Sequence, residues 1–396
     1  MRTGTANSYD NALEQLFRRQ SDLAAQQEKL SSGKRVNRAS DDPQAAALAE
    51  RAMVGIDRVA TDQRALEVQR GAIAAAESTL GEATDLVRRV RDLVIQAGNG
   101  GNLPADRGIL AKQMADLRDQ LLTLANRSDS NGVPLFGGLG SSTAPFADLP
   151  AGVQYQAIAG QRATTATALA GAMNGQAVWM DVASGNGSFK VGLNAANTGT
   201  AWTDAGSVTA PGALTGNNYS VTFTVAAGVT TYNVVNTTTS TTVATAQPYK
   251  DGAPIQFDGL SIMVHGQPQS GDAVSVAPST QTNIFKVLDD AISSVDNKPG
   301  GNLMSQSVAL SLKQIDTSLD RLQAARSQAG VWLNRADSIT GAQEARTISL
   351  QGDQSRAVDL DMVKGISDFN LAQTGYQAAL QSYAQIHKLS LFNFIN

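Results

Sequence analysis

Residues 30–50 read LSSGKRVNRASDDPQAAALAE. On either side the chain is rich in Ala, Leu, Gln, Arg and Asp, most of them good helix residues. A stretch with a glycine, three basic residues, an Asp-Asp pair and a proline therefore interrupts two helices close to the start of the chain. It is either a site of chemistry or a connector that re-aims one helix relative to the next. Asp41 and Asp42 are adjacent, and adjacent residues do not face each other on a helix. Ser40, Asp41 or Asp42 supplies instead an N-cap, with Pro43 in the first turn, where its missing N–H costs nothing. GKRVNR lacks the spacing of a phosphate loop. Ser32, Gly33, Lys34, Arg35, Asp41, Asp42 and Pro43 are thus read as a connector.

The flanking periodicity is long and regular. Before the connector, Tyr9, Leu13, Leu16, Leu23 and Leu30 fall on three- and four-residue spacings, with Gln20 and Gln27 filling the seam. After it, Ala45, Leu48, Ala52, Gly55, Val59, Leu66, Ile73, Ala76, Leu80, Ala83, Val87, Val90, Val94 and Ala97 hold one phase, interrupted by Asp62 and Gln69. Such a helix would be roughly 80 Å long, which points to a coiled-coil rod. AGNGG at 97–101 ends it, and a return helix carries Leu110, Met114, Leu117, Leu121 and Leu124. The C-terminal half has one stripe at Val308, Leu312, Ile315, Leu319, Leu322, Ala329, Leu333 and Ala336. A second runs through Phe369, Ala372, Tyr376, Ala379, Tyr383 and Ile386, with Leu380 and Leu389 on the same helix. From 44 to 350 these stripes read first as an intramolecular core. The two terminal stripes read as interfaces, because lone helices with polar seam residues need a partner.

The zone between them, about 139–279, is rich in Gly, Thr, Asn, Ser and Val, in β-branched runs broken by turn residues. The expected fold is mainly α with an inserted β-rich domain, the chain ends forming a long antiparallel helical rod. The expected domains are terminal assembly helices (1–40 and 355–396), a helical rod (41–138 and 280–354) and an outer β domain (139–279). The 396 residues suit two or three domains. Net charge −4 gives no basic surface for nucleic acid. No cysteine is present, which removes disulfides and thiolate chemistry. No apolar run is long enough to span a membrane, and MRTGTANSYDNALEQL has no apolar signal core.

Chemical candidates are sparse. The two histidines, His265 and His387, lack a metal-compatible neighbour pattern, and Asp359 and Asp361 suit a helix N-terminus. An enzyme in the β zone would have to use His265 with scattered acids such as Asp181, Asp251 and Asp258. No catalytic, cofactor or metal site is expected.

The opening stretch, with RSQAGVWLNR at 326–335 and LAQTGYQAALQSYAQIHKLSLFNFIN at 371–396, resembles the flagellin superfamily. Three details are more similar to its hook–filament junction branch than to filament flagellins: the proline in SGKRVNRASDDP, SDSNGVPLFGG followed by TAPF, and the ending LSLFNFIN. GDAVSVAPS at 271–279 is the one part of the middle zone that matches a pattern.

The resemblance implies a non-catalytic structural subunit, exported unfolded through the flagellar type III apparatus without a cleavable signal. It would form a ring outside the cell between hook and filament, with the hook-side junction protein, flagellin and an export chaperone as partners. Leu13, Leu16, Leu23, Leu30, Phe369, Tyr376, Leu380, Tyr383, Ile386 and Leu389 would form the assembly interface. Filament flagellin itself is the nearest competing reading. Two further expectations follow: residues 1 to about 40 and about 358 to 396 order only on assembly, and the helical halves survive deletion of about 142–276.

Overall fold

The computed structural model describes residues 5–141, 143–297 and 301–392; for 5–9, 297, 302 and 386–392 the backbone alone is described. Its helices are α1 (Thr5–Ser32), α2 (Pro43–Ala97), α3 (Pro104–Ala125), α4 (Ile284–Asn297), α5 (Asn302–Val358) and α6 (Met362–Phe392). The chain divides into two compact bodies, Met1–Arg64 with Ile339–Asn396, and Ala65–Ser338.

In the second body the seam residues Ile73, Leu80, Val87, Val90 and Val94 of α2 are fully buried, as are Met114, Leu121, Ile315 and Leu322 of the facing helices. Each such side chain contributes roughly 1.5–3 kcal/mol on leaving water. Contacts of Gly81 with Arg326 and of Gly98 with Val308 fix α2 and α5 as antiparallel. Glycine matters at position 98, where an added Cβ would sit 3.2 Å from Val308 Cγ1. α3 runs back along α4, with Gly108 near Asp296 and Arg118 bonded to Asp289. The sequence reading did not separate α4 from α5. Asn283 caps α4 through the Lys286 N–H at 2.7 Å, and Ile284, Phe285, Leu288, Ala291 and Val295 bury one face of it.

The β zone comprises β1 (Phe146–Leu149), β2 (Gly152–Tyr155), β3 (Val182–Ala183), β4 (Phe189–Leu193), β5 (Trp202–Thr203), β6 (Ser207–Val208), β7 (Tyr219–Ala226), β8 (Val229–Asn236), β9 (Thr241–Pro248), β10 (Pro254–Phe257), β11 (Leu260–His265), β12 (Ala273–Pro278) and β13 (Gln281–Thr282). It serves two separate cores. Phe136, Phe146 and Trp179 belong to the helical core, where Trp179 stacks on Phe285 with centroids 6.0 Å apart. Arg118, buried beside Phe285, bonds Asp148 at the end of the β1–β2 hairpin as well as Asp289. Beyond the β3–β13 pair, the strand order β4-β12-β7-β8-β9 and a smaller sheet around β11 enclose their own core of Phe189, Val221, Phe223, Ile262, Val264 and Val274. The expectation that everything from about 142 to 276 is dispensable to the helices is therefore corrected: Phe146, Met173, Val178 and Trp179 are part of the helical core.

In the first body, Ala45, Ala52 and Val59 of α2 are buried and Gly55 lies against Leu350, 3.0 Å from a would-be Cβ. Leu48, placed on the seam by spacing, is 52% exposed instead. It stands at the side of a cavity of about 470 Å³ that it lines with Ala52, Leu350 and Ala357, so the small residues on the seam leave space that the leucine does not fill.

Candidate assembly interface

The connector is built around a glycine. Gly33 ends α1 at φ +68°, a left-handed conformation that a side chain would strain, and the Ser32 hydroxyl donates to the Lys29 carbonyl. The chain then extends and pairs with the second helix break, between α5 and α6. Lys34 bridges Asp359 antiparallel; the Leu360 N–H donates to the Gly33 carbonyl at 2.9 Å and the Arg35 N–H to the Val358 carbonyl at 2.7 Å. The two breaks are thus bound to each other.

The charged residues of this stretch, though mostly exposed, bond to one another and to nearby backbone. Asp42 is the cap of α2, accepting from the Ala45 N–H at 3.0 Å, and Pro43 follows as the first helical residue. Asp41 accepts from the Asn37 and Arg38 N–H groups and closes the turn before it; Ser40 is exposed. Backbone hydrogen bonds, joined by the Arg35 guanidinium at Asp42, hold both carboxyls below the usual aspartate range. Arg35 also donates to the Ala357 carbonyl at 2.7 Å, and Arg38 pairs with Glu28 at 3.1 Å. Of the three basic residues, Lys34 alone presents a side chain that none of these bonds engages. The role of Arg35 as the link between both breaks was invisible in sequence, since its partner carbonyl lies 322 residues away. Asp361 caps α6 through the Val363 and Lys364 N–H groups.

α1 and α6 pack on each other antiparallel, Leu30 meeting Gly365 and Arg19 meeting Gly375. Each terminal helix therefore has an intrachain partner, in keeping with the expectation that the chain ends pair antiparallel. Gly365 suits this approach, because a Cβ there would lie 2.7 Å from Leu360 Cδ2 and 3.2 Å from Leu30 Cδ2 and would make both leucines shift. Leu13, Leu16, Leu23, Leu30, Phe369, Ala372, Tyr376, Ala379 and Tyr383 are half-buried along the pair. Gln20, Gln27 and Gln373 are exposed, and Leu380 is exposed at 40%. The side chains of Ile386, His387 and Leu389 lie outside the described residues. The reverse face carries exposed Phe17, Val363, Ile366 and Leu371, Val363 at 82%. A two-helix pair covers one side of each stripe and leaves the other apolar side wet.

In the β zone, His265 stacks on Trp202 at 4.5 Å and stands 3.7 Å from Asp251. Asp181 accepts from Gln176, and Asp258 accepts from the Tyr219 hydroxyl at 2.6 Å. These acids each hold a local turn or strand, and the structure does not bring them together. Among the described residues no three His, Cys, Asp or Glu side chains gather as a metal site, and no helix is long and apolar enough to cross a membrane.

Residues 4–141 match the bacterial flagellin N-terminal helical region, and residues 312–395 the bacterial flagellin C-terminal helical region. Residues 193–278 match the D2-like domain of flagellar hook-associated protein 1, which covers most of the outer β core. Flagellar hook-associated protein 3 of Escherichia coli (strain K12) is 24% identical over 405 aligned residues, 99% of each chain. The flagellar junction protein FlgL of Legionella pneumophila is 30% identical with a TM-score of 0.67, over 72% of this chain and 97% of that one. Flagellar hook-associated protein-3 of the same organism is 29% identical with a TM-score of 0.73, over 78% of this chain and 98% of that one.

Proposed function

Because the chain belongs to the flagellar hook-associated protein 3 family, the hook–filament junction branch of the flagellin superfamily, we propose that it joins hook to filament as a self-assembling, non-catalytic subunit. The observation that carries the mechanism is the α1–α6 pair: bound together on one side, apolar and uncovered on the other. Neighbouring copies, the hook-side junction protein and flagellin are the partners that cover that side.

In this reading 1–40 with 355–396 serves as inner assembly domain and 41–138 with 280–354 as rod, while 139–279 supplies the outer domain and, through Phe146, Met173, Val178 and Trp179, part of the rod's core. Leu13, Leu16, Leu23, Leu30, Phe369, Tyr376, Leu380, Tyr383, Ile386 and Leu389 supply the interface. The connector sets the angle at which α1 and α6 leave the rod helices, since Arg35 and the Lys34–Asp359 bridge fix both breaks together. The protein works outside the cell, exported by the flagellar type III route with a chaperone to shield its terminal helices.

Alignment of whole chains with hook-associated protein 3 favours the junction over the filament, as does the likeness of 193–278 to a hook-associated outer domain. The test is removal of the gene. Cells should make hooks that carry no filament and release flagellin into the medium. Filaments on hooks in those cells would overturn the reading; loss of the flagellin itself, with hooks still capped, would favour the filament alternative.

A further inference from the structure

α5 buries a side chain whose polar atoms find nothing to bond. Gln343 is 5% exposed, and both its amide nitrogen and its amide oxygen lack a partner among the described residues. It continues the α5 seam from buried Ile339 toward Leu350. Within the first body Ala45 clusters with Ala357 and Gly55 lies against Leu350, so α2 and α5 run antiparallel there as well. One heptad on from the Gly55–Leu350 contact, the same register sets Asp62 of α2 level with Gln343. Asp62 is half-buried, with buried Val59 one turn before it. It forms no hydrogen bond or ion pair among the described residues. Two polar residues thus enter the seam at one level, and neither is satisfied there.

The helices are themselves weakened at this level. The Thr61 hydroxyl donates back to the Asp57 carbonyl at 2.9 Å, and the Thr347 hydroxyl to the Gln343 carbonyl at 3.0 Å. Such back-bonds slightly destabilise a helix and often bend it. Gly341 would meet nothing within 4 Å if it carried a Cβ, so it lowers helix propensity without serving a close approach. On the other side of the Gly55–Leu350 contact, the cavity of about 470 Å³ beside Leu48 leaves the seam unfilled. A buried amide without a partner has lost its hydration, so admitting water to it recovers free energy that an opened apolar layer would lose.

We propose that the Asp62–Gln343 layer is a built-in opening point of the α2–α5 pair. The two helices part and bend at this level, water reaches the amide, and the pair closes again while the rest of the chain stays folded. The device belongs to the fold of this chain and is independent of the junction function.

Hydrogen exchange of the full chain in dilute solution tests it. Amides at 58–64 and 340–347 should show protection at least tenfold lower than α2 amides at 80–94, where Leu80, Val87, Val90 and Val94 fill the seam. Gln343→Leu puts an apolar group in place of the amide. It should slow exchange in both stretches about tenfold, equal to about 1.4 kcal/mol, and leave 80–94 unchanged. Gln343→Met, unbranched like glutamine, repeats the measurement should leucine not fit. Faster exchange at the layer in the variants would mean that a fixed bound water satisfies the amide in a closed seam, and unchanged exchange that the amide has no part in opening. Either result overturns the proposal, as does native protection at the layer equal to that at 80–94.

Discussion

Tyr376→Ala separates what the terminal helices do for the chain from what they do for the assembly. Tyr376 is half-buried on α6 along the face that meets α1. Cutting a fully buried aromatic to alanine costs roughly 3–5 kcal/mol, so the half already covered accounts for about 2 kcal/mol within one chain. If docking covers the other half, a similar loss of about 2 kcal/mol weakens capture by roughly thirtyfold. With Tyr383→Ala added, the combined loss on docking is about 4 kcal/mol, or near a thousandfold. Sequence alone put the entire loss in the assembly; the intrachain pairing of α1 with α6 divides it. Hydrogen exchange of α1 and α6 amides in dilute protein reads the first share, and titration of the protein onto purified hooks reads the second. Amides of α2 between residues 66 and 97 should not change. If α1 and α6 lose all their protection while hook capture is unaltered, the rings are internal core and the interface assignment is wrong.

Arg118→Met leaves Asp148 and Asp289 without their shared cation; both acids are partly hydrated, so a loss of about 2–3 kcal/mol is expected, below the 3–5 of a fully buried pair. A melting shift under 2 °C in the Ala65–Ser338 body would contradict it. Acidification should loosen the connector: Asp41 and Asp42 titrate below their ordinary value of 3.8, so their stabilisation is complete above that pH and is lost as pH falls below it. Exchange of the Asn37, Arg38 and Ala45 amides should therefore rise below about pH 3.8 and stay flat above it, and a rise centred near neutrality would refute this. Gly33→Ala meets no atom within 4 Å yet must hold φ +68°, a cost of about 1–2 kcal/mol that local exchange around the Lys34–Asp359 bridge should register. Deleting 186–278 should leave the helical body folded, whereas deleting 142–276 removes Phe146 and Trp179 and should destabilise it severely; equal melting of the two would refute the division into two cores.

Features set by short-range chemistry were legible before any coordinates. Asp42-Pro43 starts a helix, Gly98 to Gly101 stop one, and the stripe from Ile73 to Ala97 is buried as its period requires. What failed to show depends on partners distant in sequence. Leu48 obeys the seam spacing but borders an open cavity with Leu350 and Ala357 instead of filling it. α4 merged with α5 because KPGG at 298–301 interrupts two segments of similar composition. Phe146 and Trp179 sit in a Gly- and Thr-rich zone that reads as one domain, although their rings pack on Phe285 of α4. In the candidate interface the leucine and tyrosine stripes and the pairing of the chain ends were visible, but not that Arg35 ties both helix breaks. Periodicity gives a helix its buried side; it does not name the neighbour.

The Lys34–Asp359 bridge also imposes an order in time. A chain that emerges N-terminus first delivers Lys34 early and Asp359 more than three hundred residues later. The body formed by both ends can close only when the last tenth of the chain has arrived, whereas the body from Ala65 to Ser338 is complete before then. A truncated product is thus a folded middle with two unmatched ends. Fitness to join an assembly becomes a check that the whole chain has been made.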